Sequence, residues 1–418
     1  MKKKTAKYLS VILVISYLVL ISGGVVLWRT SHYDKASQST LSEANASDNA
    51  DFGDYEEGKE KEEGNKQEEG IEKEEGNIGV TGAEENSDGA NDTNLEAVWE
   101  ETKEDEDTSI RMVFVGDVYI GNYVSSVYDV NGVNGVLSEY LLEKFQTANL
   151  AMVNQEFPFS TRGEPMANKQ YTFRVDPSKV QLFTEMGVDI VSMANNHTLD
   201  YGTDALLDSM DTLTQAGITY VGVGSNLTEA KTTRYFEING KSIAILSASR
   251  VIPVSEWGAT ATKPGLFTTY DPTALIEEIK VAREQADAVI VYLHWGLERK
   301  EYPESYQRTM GKQFIDAGAD VVIGSHPHVL QGFEYYNGKL IAYSLGNFIF
   351  SQTINQTAML TVELNEENQF EFSVIPCSTA NGKTSELTDP AQIRQVYEYL
   401  SSISEGARIA EDGIIHQE

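Results

Sequence analysis

Ile110-Arg-Met-Val-Phe-Val-Gly-Asp117 is an apolar run that breaks at a glycine and ends on a carboxylate, and its form recurs along the chain. It returns as Val153-Asn-Gln-Glu156, Val191-Ser-Met-Ala-Asn-Asn-His197, Val291-Tyr-Leu-His-Trp-Gly296 and Val322-Ile-Gly-Ser-His-Pro-His328. Short apolar runs rich in β-branched residues, closed by polar or glycine-containing clusters, read as buried strands. The pattern predicts strands over 110–115, 150–153, 189–193, 219–223, 242–247, 288–293 and 321–323. Helical spacing of apolar residues falls between several of them, over 178–186, 203–216, 272–285 and 304–317. Strand–helix alternation of this kind specifies an α/β fold with a mostly parallel sheet. Runs at 340–344, 358–364 and 370–376 follow one another without helices, so the sheet gains antiparallel members there. A terminal helix is expected over 392–402, while Asn131-Gly-Val-Asn-Gly135 and the Gly222–Gly224 pair read as loops.

The polar clusters all stand at the carboxyl ends of strands, where open α/β sheets bind their ligands. Five such clusters can meet at one place. Carboxylate, imidazole and amide oxygen together suit a Mn, Zn or Fe-type cation better than Ca, which prefers oxygen alone. The chain has six histidines, and His197, His294, His326 and His328 lie in these clusters. A single histidine is more often a satisfied structural residue than a ligand; four at strand ends, beside Asp117 and Glu156, reverse that. In His326-Pro-His328 the proline fixes the backbone, and on a turn the two imidazoles can serve adjacent ions.

Outward from this core, the N-terminus reads differently. Met1-Lys-Lys-Lys4 precedes an apolar run over 8–28. Some twenty residues at 1.5 Å each cross a hydrocarbon layer of about 30 Å. The basic residues keep residues 1–7 in the cytoplasm and send the remainder out. A cleaved signal peptide is the competing reading, but its apolar part is shorter, and Val26-Leu-Trp-Arg29 is a poor cleavage site. The expected location is the cell membrane, single-pass, with an extracellular C-terminal domain. Residues 29–107 form an acidic low-complexity linker in which Glu-Glu-Gly recurs from positions 56, 62, 68 and 74. With almost no apolar residues it lacks the burial that offsets chain entropy, so disorder and extension are expected. Between Glu43 and Asp107 acids outnumber bases by about 20, most of the formal net charge of -32. That balance argues against a nucleic-acid partner, because phosphate backbones need clustered Lys and Arg. Cys377 is the only cysteine, so no intrachain disulfide or thiolate cluster forms. No Walker or dinucleotide spacing occurs. Residues 108–380 are expected to form the folded domain and 381–418 a C-terminal helix and tail.

Gly116-Asp117, Asn154-Gln-Glu156, Ala194-Asn-Asn-His-Thr-Leu-Asp-Tyr-Gly202, His294-Trp-Gly296, Gly324-Ser-His-Pro-His328 and Tyr343-Ser-Leu-Gly-Asn-Phe348 together resemble the CapA family of poly-γ-glutamate capsule synthesis. That family is similar to calcineurin-like metallophosphoesterases. The resemblance covers about residues 110–380 and implies a metallophosphoesterase-like layered α/β sandwich with mixed sheets. It further implies Asp117 and His328 as ligands of a first metal, Glu156 as the bridging carboxylate, and Asn196, His294 and His326 as ligands of a second. His197 would be the catalytic proton donor, with Asp200 orienting it or capping a helix. The implied cofactor is one or two divalent ions. One departure bears on that count: the superfamily usually carries histidine two positions after the first Asp, and Tyr119 stands there. Arg250, Asn195 and Tyr119 are candidate substrate contacts. Lys169, Arg174 and Arg299 read by default as surface charge, and Trp257 and Trp295 serve as pocket lining or core.

The function this implies is a membrane-anchored part in poly-γ-glutamate synthesis or export with a metal-dependent hydrolase- or transferase-like site. Its partners would be the polymer or another anionic polymer, membrane synthase or ligase subunits, and the bilayer. The alternatives are a non-catalytic polymer-binding or scaffold subunit, and a metallophosphatase acting on another surface substrate.

Overall fold

The computed structural model describes residues 108–418, so the segments read as anchor and linker lie outside the described residues. No helix among the described residues is long and apolar enough to cross a membrane. The chain runs β1 (Ile110–Val118), α1 (Asn122–Asn131), α2 (Glu139–Thr147), β2 (Leu150–Gln155), α3 (Val180–Met186), β3 (Ile190–Ser192), α4 (Gly202–Gln215) and β4 (Thr219–Val221). There follow β5 (Arg234–Ile238), β6 (Lys241–Ser249), α5 (Thr273–Arg283), β7 (Ala288–His294), α6 (Ser305–Ala317) and β8 (Val321–Ser325). The last part is β9 (Leu330–Tyr336), β10 (Lys339–Leu345), β11 (Asn347–Ile349), β12 (Ile354–Leu364), β13 (Phe370–Ala380), β14 (Lys383–Glu386) and α7 (Pro390–Ser402).

Two sheets carry the architecture. The first has eight strands in the order β14-β13-β12-β1-β2-β3-β4, with β11 also on β1. Its β1–β4 half is parallel and its β12–β14 half antiparallel, so the sheet is mixed as the sequence suggests. The second has six strands, β9-β10-β8-β7-β6-β5, parallel in the middle and antiparallel at both edges.

Strand alternation divides the core into layers. From β1, Met112 and Phe114 point one way, into a cluster with Ile245, Ile290, Tyr292, Ile323 and Leu360 that fills the space between the sheets. Val113 and Val115 point the other way, against Leu141, Phe145, Leu182 and Phe183 of the first helical layer. On the far side, Leu246, Val289 and Val291 meet Leu275, Ile279 and Phe314 of α5 and α6. The order is therefore helices, sheet, sheet, helices. Because both faces of β1, β2 and β7 are covered, these strands read as continuous apolar runs rather than alternations.

The chain differs from its sequence reading at a few points. The strand expected over 219–223 ends at Val221; the chain turns at Gly222, and Val223–Gly224 pairs with Gly265–Leu266. Within the stretch read as a loop, Val133–Val136 closes one helical turn. Beyond α7, whose Val396 and Leu400 reach the inter-sheet core, Ala407–Ile409 and Ile415–Gln417 form a small hairpin.

Candidate metal centre

Parallel register brings the strand ends together. Asp117 stands opposite Asn154 across β1 and β2, and Ser325 opposite His294 across β8 and β7. Where the two sheets face each other, these ends become one buried polar pocket. Asp117, Glu156, His294 and His326 are each wholly excluded from solvent. The Asp117 carboxylate accepts a hydrogen bond from Asn154 Nδ2 at 2.7 Å and another from the His326 backbone N–H at 3.2 Å. His328 Nδ1 lies 3.4 Å from Asp117 Oδ2 and 2.6 Å from Asn347 Oδ1. His294 Nε2 lies 3.0 Å from Asn196 Oδ1 and 3.8 Å from Glu156 Oε1.

The His326-Pro-His328 turn holds both imidazoles on unusual backbone. His326 has φ 100° and His328 φ 58°, a left-handed region costly for residues with a Cβ. Such strain persists only where the surroundings enforce it. Here β8 has just ended at Ser325 and the Asp117 carboxylate draws in the His326 N–H. Both rings thereby face inward, with centroids 5.7 Å apart.

Three ligand groups overlap in this pocket: Glu156, His294 and His326; Asp117, Glu156 and His328; and Glu298, His326 and His328. Within each, the ligand atoms lie within 4.8 Å of one another. Glu156 belongs to the first two. Both its oxygens and both nitrogens of His326 are buried without a hydrogen-bond partner. An isolated buried carboxylate is costly unless a cation faces it, so the residues present fit a divalent metal. The electrostatics agree. Burial, then the Asp117 charge, holds the Glu156 carboxyl well above the ordinary range. Burial, then its imidazole neighbours, keeps His294 and His326 neutral, the state in which they bind metals. Burial opposes the His328 imidazolium, yet Glu156, Asp117 and Glu298 outweigh it and push its pKa up to about 10.

His197 stands beside the cluster, next to Asn196. Its Nδ1 lies 2.7 Å from Asp200 Oδ2; a carboxylate only accepts, so the ring proton sits on Nδ1 and Nε2 carries the lone pair. Burial, then the Lys169 charge, lowers its pKa to about 4. Lys169 is no surface cation: it bonds the Asn196 carbonyl and Asp200, approaches His197 Nδ1 at 3.1 Å and lies 5.3 Å from the Trp257 ring centroid. Asp200 also accepts from the Phe173 N–H at 2.7 Å, so it orients His197 and ties down the 169–173 segment.

The three candidate substrate contacts fare differently. Asn195 is fully buried; its amide donates to Asn154 Oδ1 and the Gln155 carbonyl, and its oxygen accepts from the His197 N–H and Thr198. That uses its whole capacity, so it braces the loop bearing Asn196 and His197. Tyr119 stacks on Phe173 at 3.9 Å, and Phe173 stacks on His197 at the same distance. Burial pushes the Tyr119 phenol up to about 12, so it remains neutral and forms a wall. Arg250 is clamped between Tyr270 and Tyr306 at 4.5 and 4.6 Å, with its Nε buried and without a hydrogen-bond partner, while its backbone N–H donates to the His294 carbonyl. It sets a cation beside the end of β7. Asn154, Asn347 and Ser325, which fix Asp117, His328 and His294, carry no sequence signal beyond standing in strand-end clusters.

A two-sheet sandwich between helical layers, with carboxylates, an asparagine and histidines gathered at its strand ends, defines a layered α/β protein with a buried set of metal-ligand types. The chain belongs to the bacterial capsule synthesis protein family PGA_cap, whose model matches residues 111–352. It is 34% identical over 270 residues to the PGA biosynthesis protein CapA of Bacillus subtilis strain 168, covering 63% of this chain and 70% of that protein. It is 31% identical over 321 residues to the capsule biosynthesis protein CapA of Bacillus anthracis, covering 73% and 76%. A solved phosphatase from Mycoplasma pneumoniae matches 70% of this chain and 99% of its own at 16% identity and a TM-score of 0.43, too loose to bear on function.

Proposed function

We propose that this chain acts in poly-γ-glutamate capsule synthesis through a metal-dependent, hydrolase-like site on a phosphate ester or γ-glutamyl amide. The observation that carries the site is the orphaned set of buried atoms, Glu156 Oε1 and Oε2 and His326 Nδ1 and Nε2. Asp117, Glu156 and His328 would hold one divalent ion, and Glu156, Asn196, His294 and His326 a second. When bound, such an ion polarises a phosphoryl or carbonyl oxygen.

The rest falls to the chain's own side chains. Asp200, itself held by Lys169, keeps His197 oriented with Nε2 unprotonated, so it first accepts a proton from an incoming water and then returns it to the leaving group. Phe173 and Tyr119 stack behind the imidazole and keep bulk water off that face. Arg250 offers a held positive charge to an anionic substrate. The capsule role rests on membership of the family and on the relatives' names.

The test compares wild type, His326→Ala and His197→Ala. Wild type should carry transition metal that His326→Ala loses, whereas His197→Ala should keep it and lose turnover by about 10²–10⁴-fold. Neither variant should restore capsule polymer to cells lacking the wild-type protein. A metal-free wild type that cannot be loaded would end the hydrolase reading and leave a polymer-binding or scaffold role.

We also propose that residues 8–28 anchor the chain with its folded domain outside the cell. The flanking Lys2, Lys3 and Lys4 support that orientation. Protease added to intact protoplasts should release the folded domain; full protection would place it inside.

A further inference from the structure

Glu298 falls in a charged run, Leu297-Glu-Arg-Lys-Glu301, that reads in sequence as ordinary surface. The structure puts it elsewhere. Its side chain is only 18% exposed, and Oε1 lies 4.0 Å from His328 Nε2. One of its oxygens and a nitrogen from each of His326 and His328 lie within 4.8 Å of one another, the spacing of ligands around one ion.

The turn bearing Glu298 is laid along the His-Pro-His turn at several points. The Trp295 N–H donates to the Ser325 carbonyl at 3.1 Å, and the Arg299 N–H to the Pro327 carbonyl at 2.8 Å. Between them Gly296 has φ 97°, its N–H bonds the Tyr306 hydroxyl at 2.7 Å, and a Cβ there would stand 2.8 Å from Pro327 Cγ. The backbone approaches that closely only because residue 296 is glycine. Glu298 is thus fixed against the two histidines from both sides.

We propose that Glu298 is a direct ligand of the cation held at His328. This rests on the reading of the pocket as a metal centre. Tyr119, two residues beyond Asp117, offers no imidazole there, and its ring stacks on Phe173. Without Glu298, the His328 position has Asp117, His328 and a share of Glu156. Glu298 adds a third carboxylate there, grouped with His326 and His328. Charge points the same way, since three carboxylates offset two divalent ions better than two do. A full position at His328 makes the centre binuclear.

The experiment uses the full chain in detergent, stripped with chelator and titrated with Mn²⁺. Calorimetry gives stoichiometry, and electron paramagnetic resonance distinguishes a coupled pair of ions from an isolated one. Wild type should bind two Mn²⁺ with a coupled spectrum. Glu298→Gln, close in shape and only partly buried, should hold one tightly with an isolated-ion spectrum and weaken the other at least tenfold. Two Mn²⁺ of unchanged affinity in Glu298→Gln would overturn the assignment, as would a single ion in wild type. Wild type binding no Mn²⁺ would instead overturn the metal centre itself.

Discussion

In chelator, Glu156→Gln is expected to be more stable than wild type and at the same time unable to hold a metal. The wild-type carboxyl is buried without a hydrogen bond, and burial followed by the Asp117 charge holds its pKa well above 4.5. A raised acid pKa means that the folded state binds the proton more tightly than the unfolded chain. Wild-type stability therefore falls as pH rises through about 4.5 towards the folded value. The neutral amide escapes that loss. Its advantage should be near zero at pH 4 and grow towards neutrality, reduced by the attraction Glu156 has for protonated His328. Because Glu156 serves both the His294 and the His328 positions, Mn²⁺ affinity should fall by more than the roughly 10–100-fold that loss of an outer partner costs. Urea unfolding at pH 4 and pH 8, with Mn²⁺ calorimetry beside it, measures both effects. A variant less stable at pH 8 that still binds Mn²⁺ at wild-type strength would show that Glu156 is a structural residue.

Gly324→Ala is expected to be strongly destabilising for a change of one methyl group. A Cβ at this position of β8 would stand 2.1 Å from the Tyr343 carbonyl oxygen and 2.3 Å from Trp295 Nε1. Neither neighbour is free to move: Trp295 Nε1 donates to that same carbonyl at 3.0 Å, and both side chains are fully buried. Relief requires β8 and β10 to part, which should cost about 3 kcal/mol, the upper end of the usual overpacking range and a large share of a typical folding free energy of about 5–15 kcal/mol. Gly311→Ala in α6 is the comparison. Its nearest atom would be the Ile341 Cδ1 methyl at 3.0 Å, which can shift, and alanine favours the helix by about 1 kcal/mol. Thermal unfolding should separate the two clearly; equal losses would remove the strand-spacing explanation.

These two positions also show what the sequence can convey. Strands buried on both faces announce themselves as unbroken apolar runs, so β1, β2, β6, β7 and β8 were legible, as were α3 to α7 from their apolar spacing. The edge strand β5 was not, because Arg234-Tyr-Phe-Glu-Ile238 is half exposed and carries charge. Nor was α1, with only Val124 and Tyr128 buried. At the centre, Asp117, Glu156, His294, His326 and His328 stood out because their chemistry sits directly after strands, Asn196 came through the family resemblance, and the structure gathers all six. Lys169 and Glu298 stayed hidden because long-range contacts define their roles: a salt bridge to Asp200 for one, the Arg299–Pro327 hydrogen bond for the other. Asn195 misled because its neighbour in the same motif faces the cluster while it turns inward.

The strand order also governs when the chain can fold. β1 lies in the middle of the first sheet, yet one of its neighbours is β12, with Ile110 paired to Leu364. During synthesis the first strand must wait, one edge open, until nearly the whole chain has appeared. Pairings so distant in sequence close slowly, and an open strand edge in the meantime invites association with other chains. A nascent chain cut short before residue 354 retains Asp117, Glu156, His294, His326 and His328, but lacks the three strands that complete the sheet beneath them.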